Sequence, residues 1–496
     1  MDLPIIDLAI FFFYMLLIIG FGISFSFRKR TAEDYTLGGG RLPAWAIGMS
    51  IFATFVSSIS FLALPGNAYM GNWNGFVFSL SIPLAAIVAV KYFVPLYRKL
   101  QSESAYFYLE QRFGPWAGTY ASICYLLTQL ARMGAIMYLL ALPMNALLGW
   151  SIPLIIVVTG ISVIVYASLG GFEAVVWTDA IQGIILIGGA LVSLLVIMFS
   201  MPEGPGQVFT IASEANKFSL GSFDFDFTTS TFWLLLVYGL FINLQNFGID
   251  QNYVQRYISA RTQKEAEKST WLGSLLYVPV SLLFFFIGTA LFAYYQAQPD
   301  LLPTELQGAG DKIFPYFIVT GLPAGVTGLL IASIFAAGMS TVSTSINSSG
   351  TVILSDFYKK FFNRTPSQKE SMRVLLTASF AMGGTSIFVA LALNGVTSAL
   401  DAWWALSSVF SGGVLGLFLL GVISKKAKSL HAAIGVVVGV VVILWLSLSP
   451  VFFTAEGWQA FKSSFHANLT IILSTTAIFL VGFGLVSVTK RGKSDF

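Results

Sequence analysis

This 496-residue sequence holds one cysteine, Cys124, and two histidines, His431 and His466. One thiol cannot form an intrachain disulfide or a cysteine-rich metal site, and two histidines exclude chemistry that needs several imidazoles. Charge is equally scarce, with Asp, Glu, Lys and Arg making up 10% of the chain where a soluble domain carries about a quarter. That excludes a water-soluble enzyme and a disordered chain. What is present is apolar: 56% of residues are hydrophobic and 15% aromatic, 45 of them Phe, and mean hydropathy is +0.80. The net charge of +4 comes from basic residues in short loops rather than one long patch, so no nucleic-acid partner is expected.

At about 20 apolar residues per helical crossing, the chain reads as an all-α integral membrane protein. Thirteen apolar segments lie near 4–27, 43–70, 76–98, 118–148, 152–169, 174–200, 230–257, 269–295, 320–352, 372–394, 401–423, 431–449 and 467–489. They are continuous runs of helical length, which excludes a membrane β-barrel. The first is no cleaved signal peptide, because Arg28, Lys29 and Arg30 follow the apolar run and no small-residue cleavage site is evident. With those charges inside, the basic residues at 98–99, 256–268, 359–373, 425–428 and 490–493 also fall in the cytoplasm. Only Lys217, Lys312 and Lys462 fall outside, and only Arg132 within a span. The N-terminus is then outside and the C-terminus inside. The longest connections, about 201–229 and 296–319, are too short for domains and read as loops forming partial lids.

Polar residues interrupt the apolar phase in three places. The segment 43–70 carries Ser57, Ser58 and Ser60 near its middle, with Pro65 and Gly66 beyond. Serine bonds to nearby backbone, and Pro and Gly weaken the helical ladder, so a break at the midplane is one reading. Exposed carbonyls in such a break must line a cavity or hold an ion. The alternative is an intact helix with back-bonded serines. In the segment 320–352, eight of the ten residues from Ser340 to Ser349 are Ser, Thr or Asn. Ser340, Ser343, Thr344 and Asn347 share one helical face. The face suits a hard cation, which prefers oxygen ligands, or else is a small-residue packing face.

The third interruption is ionised residues at depth. Asp179 and Arg132 lie inside spans, where each charge costs about 2.5–3.5 kcal/mol and must face a partner or water. Asp179 is a candidate cation ligand, or an acid favoured by a helix N-terminus. Arg132 is a candidate carboxylate clamp, since its planar fork suits bidentate binding, or half of an Arg–Asp pair. Asp250 and Phe247 are candidates for a gate, against the alternatives of a solvated helix terminus and simple packing. His431 and His466 fall near span ends and read as solvated.

These residues resemble the sodium:solute symporter family. The resemblance rests on GGGRLPAWAIGMSIFATFVSSISF, SLGGFEAVVWTDAIQG, the FGxDQxxVQR stretch and IFAAGMSTVSTSINSSG, which together extend over essentially the whole chain. In detail the chain is similar to bacterial sodium/sialic acid symporters, through SAYFYLEQRF, Arg132 and IDQNYVQRYI. The resemblance implies a leucine-transporter-like core within 13 transmembrane helices, two inverted five-helix repeats with one extra helix before and two after. Mapped here, residues 1–42 form the extra helix and linker, 43–200 the first repeat, 230–423 the second, and 424–496 the C-terminal helices and tail.

The same resemblance assigns roles. A principal Na⁺ site carries over to the carbonyls of Ala53, Val56 and Ala337 and the hydroxyls of Ser340 and Thr341. A second Na⁺ site would use Asp179 with Ser340, Ser343 and Thr344. Arg132 matches the arginine that meets the sugar carboxylate, and Ser57, Ser58 and Ser60 match positions lining the substrate cavity. Two positions depart from the pattern, Phe55 where a threonine is familiar and Ser79 where a glutamine is, which puts the sugar preference in question. The implied function is Na⁺-coupled import of an anionic sugar, sialic acid foremost, by alternating access in a bacterial plasma membrane. The partners are then that small molecule and the lipid bilayer, with no obligatory protein partner. A Na⁺-coupled carrier of another small carboxylate or solute is the alternative, and no enzyme constellation is present.

Overall fold

Hydrocarbon offers no hydrogen bonds, so a spanning chain must satisfy its backbone internally, and long apolar runs answer by becoming helices. The computed structural model describes residues 4–491 apart from 29, 101, 395–405, 408, 411–412 and 454–455. Among the described residues there is no β-strand, only an isolated bridge between Leu42 and Ala260. Within those described residues ten helices are long and apolar enough to cross a membrane, and one bent pair makes eleven. The chain is a multi-pass membrane protein.

Most expected segments reappear with shifted ends, such as Pro115–Leu148, Gln263–Ala297, Gln368–Ala392 and Leu469–Arg491. The segment expected at 320–352 begins at Val326 instead. That expected at 401–423 lies partly outside the described residues, which hold Val414–Ile423. The expected pair 152–169 and 174–200 is one run of 48 residues, Ile152–Phe199. At 1.5 Å per residue it would measure about 72 Å, more than twice the hydrocarbon thickness of about 30 Å. It is divided at Gly171, whose φ of 68° and ψ of −169° are not helical. A side chain there would meet the Tyr35 ring at 2.9 Å in a left-handed backbone. The Arg30 guanidinium donates to the carbonyls of Leu169 and Gly170, closing the end of the first half.

The connections expected as loops carry structure. Residues 201–229 include the helix Gly206–Glu214, and 296–319 run into the helix Gly310–Thr320. Lys217, expected in outside solvent, is 6% exposed. Its Nζ donates to the carbonyls of Tyr69 (2.6 Å) and Gly71 (2.9 Å), so this segment is tied over the end of the Ser58–Met70 helix.

At the centre stands Val326–Val352, in which every residue from Leu330 to Val352 is buried. It packs against Ile152–Phe199 and Ile5–Ser24. So polar a helix is stable in a membrane only when protein, not lipid, surrounds it. Its N-terminus is held from the first helix. Asp7 Oδ1 accepts the backbone N–H groups of Gly325 and Gly328, both at 2.7 Å. Two N–H groups left open at the helix start are thereby satisfied.

Candidate functional site

The segment 43–70 is broken. Ala44–Phe55 and Ser58–Met70 meet at 53°, with Val56 and Ser57 extended between them. The cause is local. Ser57 caps the second half, its hydroxyl facing Ser60 N and Ser60 Oγ facing Ser57 N, both at 3.4 Å. Ser57 and Ser60 act as caps rather than as back-bonded residues of an intact helix, and the Ser58 hydroxyl is buried without a partner. Ser57 N, which would close the turn onto Ala53, is thereby directed to Ser60. The Thr54 carbonyl accepts Arg132 Nη2 at 3.3 Å.

The serine-rich helix runs against this break. A side chain at Gly338 would lie 3.4 Å from Ser58 Oγ. Ser340 and Thr341 both donate to the Ala337 carbonyl, at 3.1 and 3.2 Å, and Ser343 donates to the Ser340 carbonyl at 3.1 Å. The hydroxyl hydrogens are used locally, as packing serines use theirs, but the oxygen lone pairs remain for another partner. Ala53, Val56, Ala337, Ser340 and Thr341 are all buried. Neutral oxygens so arranged can take the place of water around a hard cation.

Asp179 lies beside this face, wholly buried, and so does a residue of unexpected location. Arg256, expected among the cytoplasmic charges, has a side-chain exposure of 0% and pairs with Asp179 Oδ2 at 2.9 Å. The same carboxylate oxygen accepts Ser50 Oγ at 2.6 Å and Thr344 Oγ1 at 3.3 Å. Arg256 also donates to Ser50 Oγ and Thr344 Oγ1, both at 2.9 Å, and to the Asn252 carbonyl. The buried Arg–Asp pair therefore forms with Arg256, not with Arg132.

A second break brings Arg256 inward. Phe232–Ile249 and Gln251–Ser259 are separate helices, with Asp250 extended between them (φ −77°, ψ 119°). Asp250 Oδ1 accepts Asn252 N at 2.8 Å and caps the inner half. It is half-buried inside the protein rather than a solvated terminus. Phe247, the other gate candidate, is fully buried. It meets Phe55 edge to face at 5.5 Å, and Phe55 also contacts Tyr253 (4.9 Å) and Tyr277 (5.4 Å). Ser79 Oγ lies 2.7 Å from Ser281 Oγ. A cavity of about 30 Å³ is lined by Tyr106, Tyr125, Gln129, Gln245 and Asp250 among others. None of Phe55, Ser57, Ser58, Ser60, Ser79 and Arg132 lines it.

Comparison with known proteins decides the class. The sodium:solute symporter family model matches residues 35–439. The sodium/sialic acid symporter of Proteus mirabilis is 37% identical over 447 residues, covering 89% of this chain and 90% of that one. The chain belongs to the sodium:solute symporter family. A solved structure of a Na⁺-coupled sialic acid symporter, substrate-bound and outward-open, is 33% identical with a TM-score of 0.89. It covers 98% of both chains. A nucleobase-cation-symport-1 transporter in a closed conformation shares the fold at a TM-score of 0.60 and 15% identity, over 91% of this chain and 94% of that one.

In this symporter the coupling ion is Na⁺, and the protein is a transporter rather than an enzyme. The structure brings the residues expected at the second Na⁺ site, Asp179 and Thr344, into contact, with Ser340 and Ser343 on the neighbouring turn. Sequence reasoning missed Ser50, Arg256 and Tyr277. His431 is corrected as well, since it is 7% exposed, its Nδ1 accepting the N–H of Lys428.

Proposed function

We propose that the protein imports a carboxylated sugar, sialic acid foremost, together with two Na⁺ ions by alternating access. The observation that carries this reading is the direct contact of a broken helix, an oxygen-rich helix and a buried carboxylate. Such broken helices beside an ion face are the working parts of many secondary transporters. The principal ion would be held by Ala53, Val56 and Ala337 carbonyls with Ser340 and Thr341 hydroxyls, and the second by Asp179, Ser340, Ser343 and Thr344. Arg132, fixed by one bond to Thr54, keeps donors free for a carboxylate. Ser57, Ser58 and Ser60 stand at the break for the sugar hydroxyls.

Thirteen spans, ten of them in two inverted five-helix repeats at 43–200 and 230–423, accommodate the two breaks at equivalent places. The 48-residue run counts as two spans meeting at Gly171. Residues 1–42 and 424–496 then flank the repeats, in a bacterial plasma membrane with the N-terminus outside. Opening is required for transport. Ligand sites of drug size measure about 300–1,000 Å³, and here Phe55, Phe247, Tyr253 and Tyr277 pack where a solute would reside. Ions that stitch the first break to the serine-rich helix would favour an arrangement in which these rings part and Arg132 is presented. Na⁺ and solute then raise each other's affinity equally.

Uptake of labelled sialic acid into proteoliposomes tests the proposal. Accumulation above the bath concentration is expected with an inward Na⁺ gradient and not with choline or K⁺ in its place. Equal accumulation in all three would reject the coupling. Absence of sialic acid uptake, with Na⁺-driven accumulation of labelled proline or acetate instead, would assign a different solute.

A further inference from the structure

The Asp179 carboxylate is used on one side only. Oδ2 receives Ser50, Arg256 and Thr344, whereas Oδ1 is buried with no partner. Ser340 and Ser343 give their hydroxyl hydrogens to helix carbonyls, which leaves each oxygen able to act as an acceptor. Thr344 is divided, donating to Asp179 and accepting from Arg256. One negative charge thus has a filled cation position on Oδ2 and an unused oxygen, Oδ1, while the hydroxyls of Ser340, Ser343 and Thr344 lie on the helix that touches it. Two cations sharing one buried carboxylate and one threonine oxygen repel each other strongly where the dielectric is low.

We propose that Arg256 is a tethered counter-cation that exchanges with Na⁺ at Asp179. This rests on the second-ion reading above and adds the residue that sets the ion's affinity and release. When Na⁺ is present, the guanidinium loosens from Asp179 and Thr344. When the guanidinium returns, it expels the ion. Arg256 sits on the half-helix Gln251–Ser259, which begins at Asp250 and carries Tyr253 into the ring cluster around Phe55. Exchange at Asp179 therefore reaches the solute region through one short rigid element. Arg256 is a positioning residue, acting on the ion through Asp179.

The test compares wild type, Arg256→Lys, Arg256→Gln and the double variant Asp179→Asn/Arg256→Gln, each purified. Na⁺ titrations are followed by uptake in proteoliposomes and by thermal stabilisation in detergent. Removing the competitor should lower the Na⁺ concentration for half-saturation, on the order of tenfold in Arg256→Gln and less in Arg256→Lys. Maximal turnover should fall in both, because ion release loses its driver. The double variant should show no tightening, since it has lost the acid as well. An unchanged or raised half-saturation in Arg256→Lys overturns the exchange, and that variant keeps a positive charge beside Asp179 should Arg256→Gln fail to fold. Wild-type uptake indifferent to Na⁺ would sink the symporter reading and this inference together. Wild-type dependence with unshifted variants sinks the exchange alone.

Discussion

A guanidinium has five N–H donors, and Arg132 spends one of them on the Thr54 carbonyl beside the first break. The remainder can meet a carboxylate in parallel bonds, each hydrogen bond to a charged group contributing about 1.5–3 kcal/mol. Counting the net loss of one such bond, Arg132→Ala should weaken binding of a carboxylated sugar by at least about 10- to 150-fold, and Arg132→Lys should fall between, keeping charge without the fork. Calorimetric titration with sialic acid in Na⁺ buffer measures this, and an unchanged affinity in the alanine variant would remove the clamp. Arg132 could be singled out because a lone cation in an apolar run must face a partner or water. Arg256 could not, since QRYISAR, in which it is the second residue, runs straight into a basic stretch that reads as cytoplasmic loop. The signal that could have found it was the charge balance at depth. Asp179 and Asp250 were two acids against the single cation Arg132, and each buried charge needs a partner.

Among the elements, the first break was legible because serine, proline and glycine all act on the local backbone. The second was not. Residues 230–257 are mostly apolar up to Ile242 and increasingly polar from Asn243, which reads as an ordinary span end, although the polar half-helix Gln251–Ser259 is almost wholly buried. Its burial depends on the surrounding helices, which sequence pattern does not specify. The same is true of Asp7, which reads as an acid at a span terminus and in fact caps the helix Val326–Val352 from outside it. A Cβ on Gly328 would lie 2.5 Å from the Asp7 carbonyl oxygen, so the two helices touch backbone to backbone there. Asp7→Ala should destabilise the protein by about 0.5–2 kcal/mol, the usual cost of a lost cap. It should also raise the Na⁺ half-saturation, because Ser340 and Thr341 ride on the helix it anchors. Thermal unfolding with and without Na⁺ measures both effects. A stability loss with unaltered Na⁺ response would make Asp7 a brace only.

For the molecule as a whole, the ionised groups around the two breaks sum to zero: Asp179 and Asp250 against Arg132 and Arg256. A sugar acid with one Na⁺ would preserve that balance, whereas two Na⁺ leave one positive charge moving with each transport event. The membrane potential acts on that charge with about 2.3 kcal/mol per 100 mV, close to 50-fold in accumulation at about 1.4 kcal/mol per tenfold. An inward movement of one anion alone would be opposed by the same amount, so the ion count decides whether the potential helps or is irrelevant. Asp179→Asn leaves the principal-site oxygens of Ser340 and Thr341 intact and withdraws the carboxylate of the second site. The variant should retain Na⁺-dependent uptake while losing its response to voltage. Imposing K⁺ diffusion potentials with valinomycin on proteoliposomes reads this directly. Wild-type uptake should rise steeply as the interior becomes negative, and Asp179→Asn uptake should stay level. An equal voltage response in the two would mean that Asp179 holds no transported ion, and the buried Asp179–Arg256 pair would then serve only to bind the half-helix Gln251–Ser259 to its neighbours.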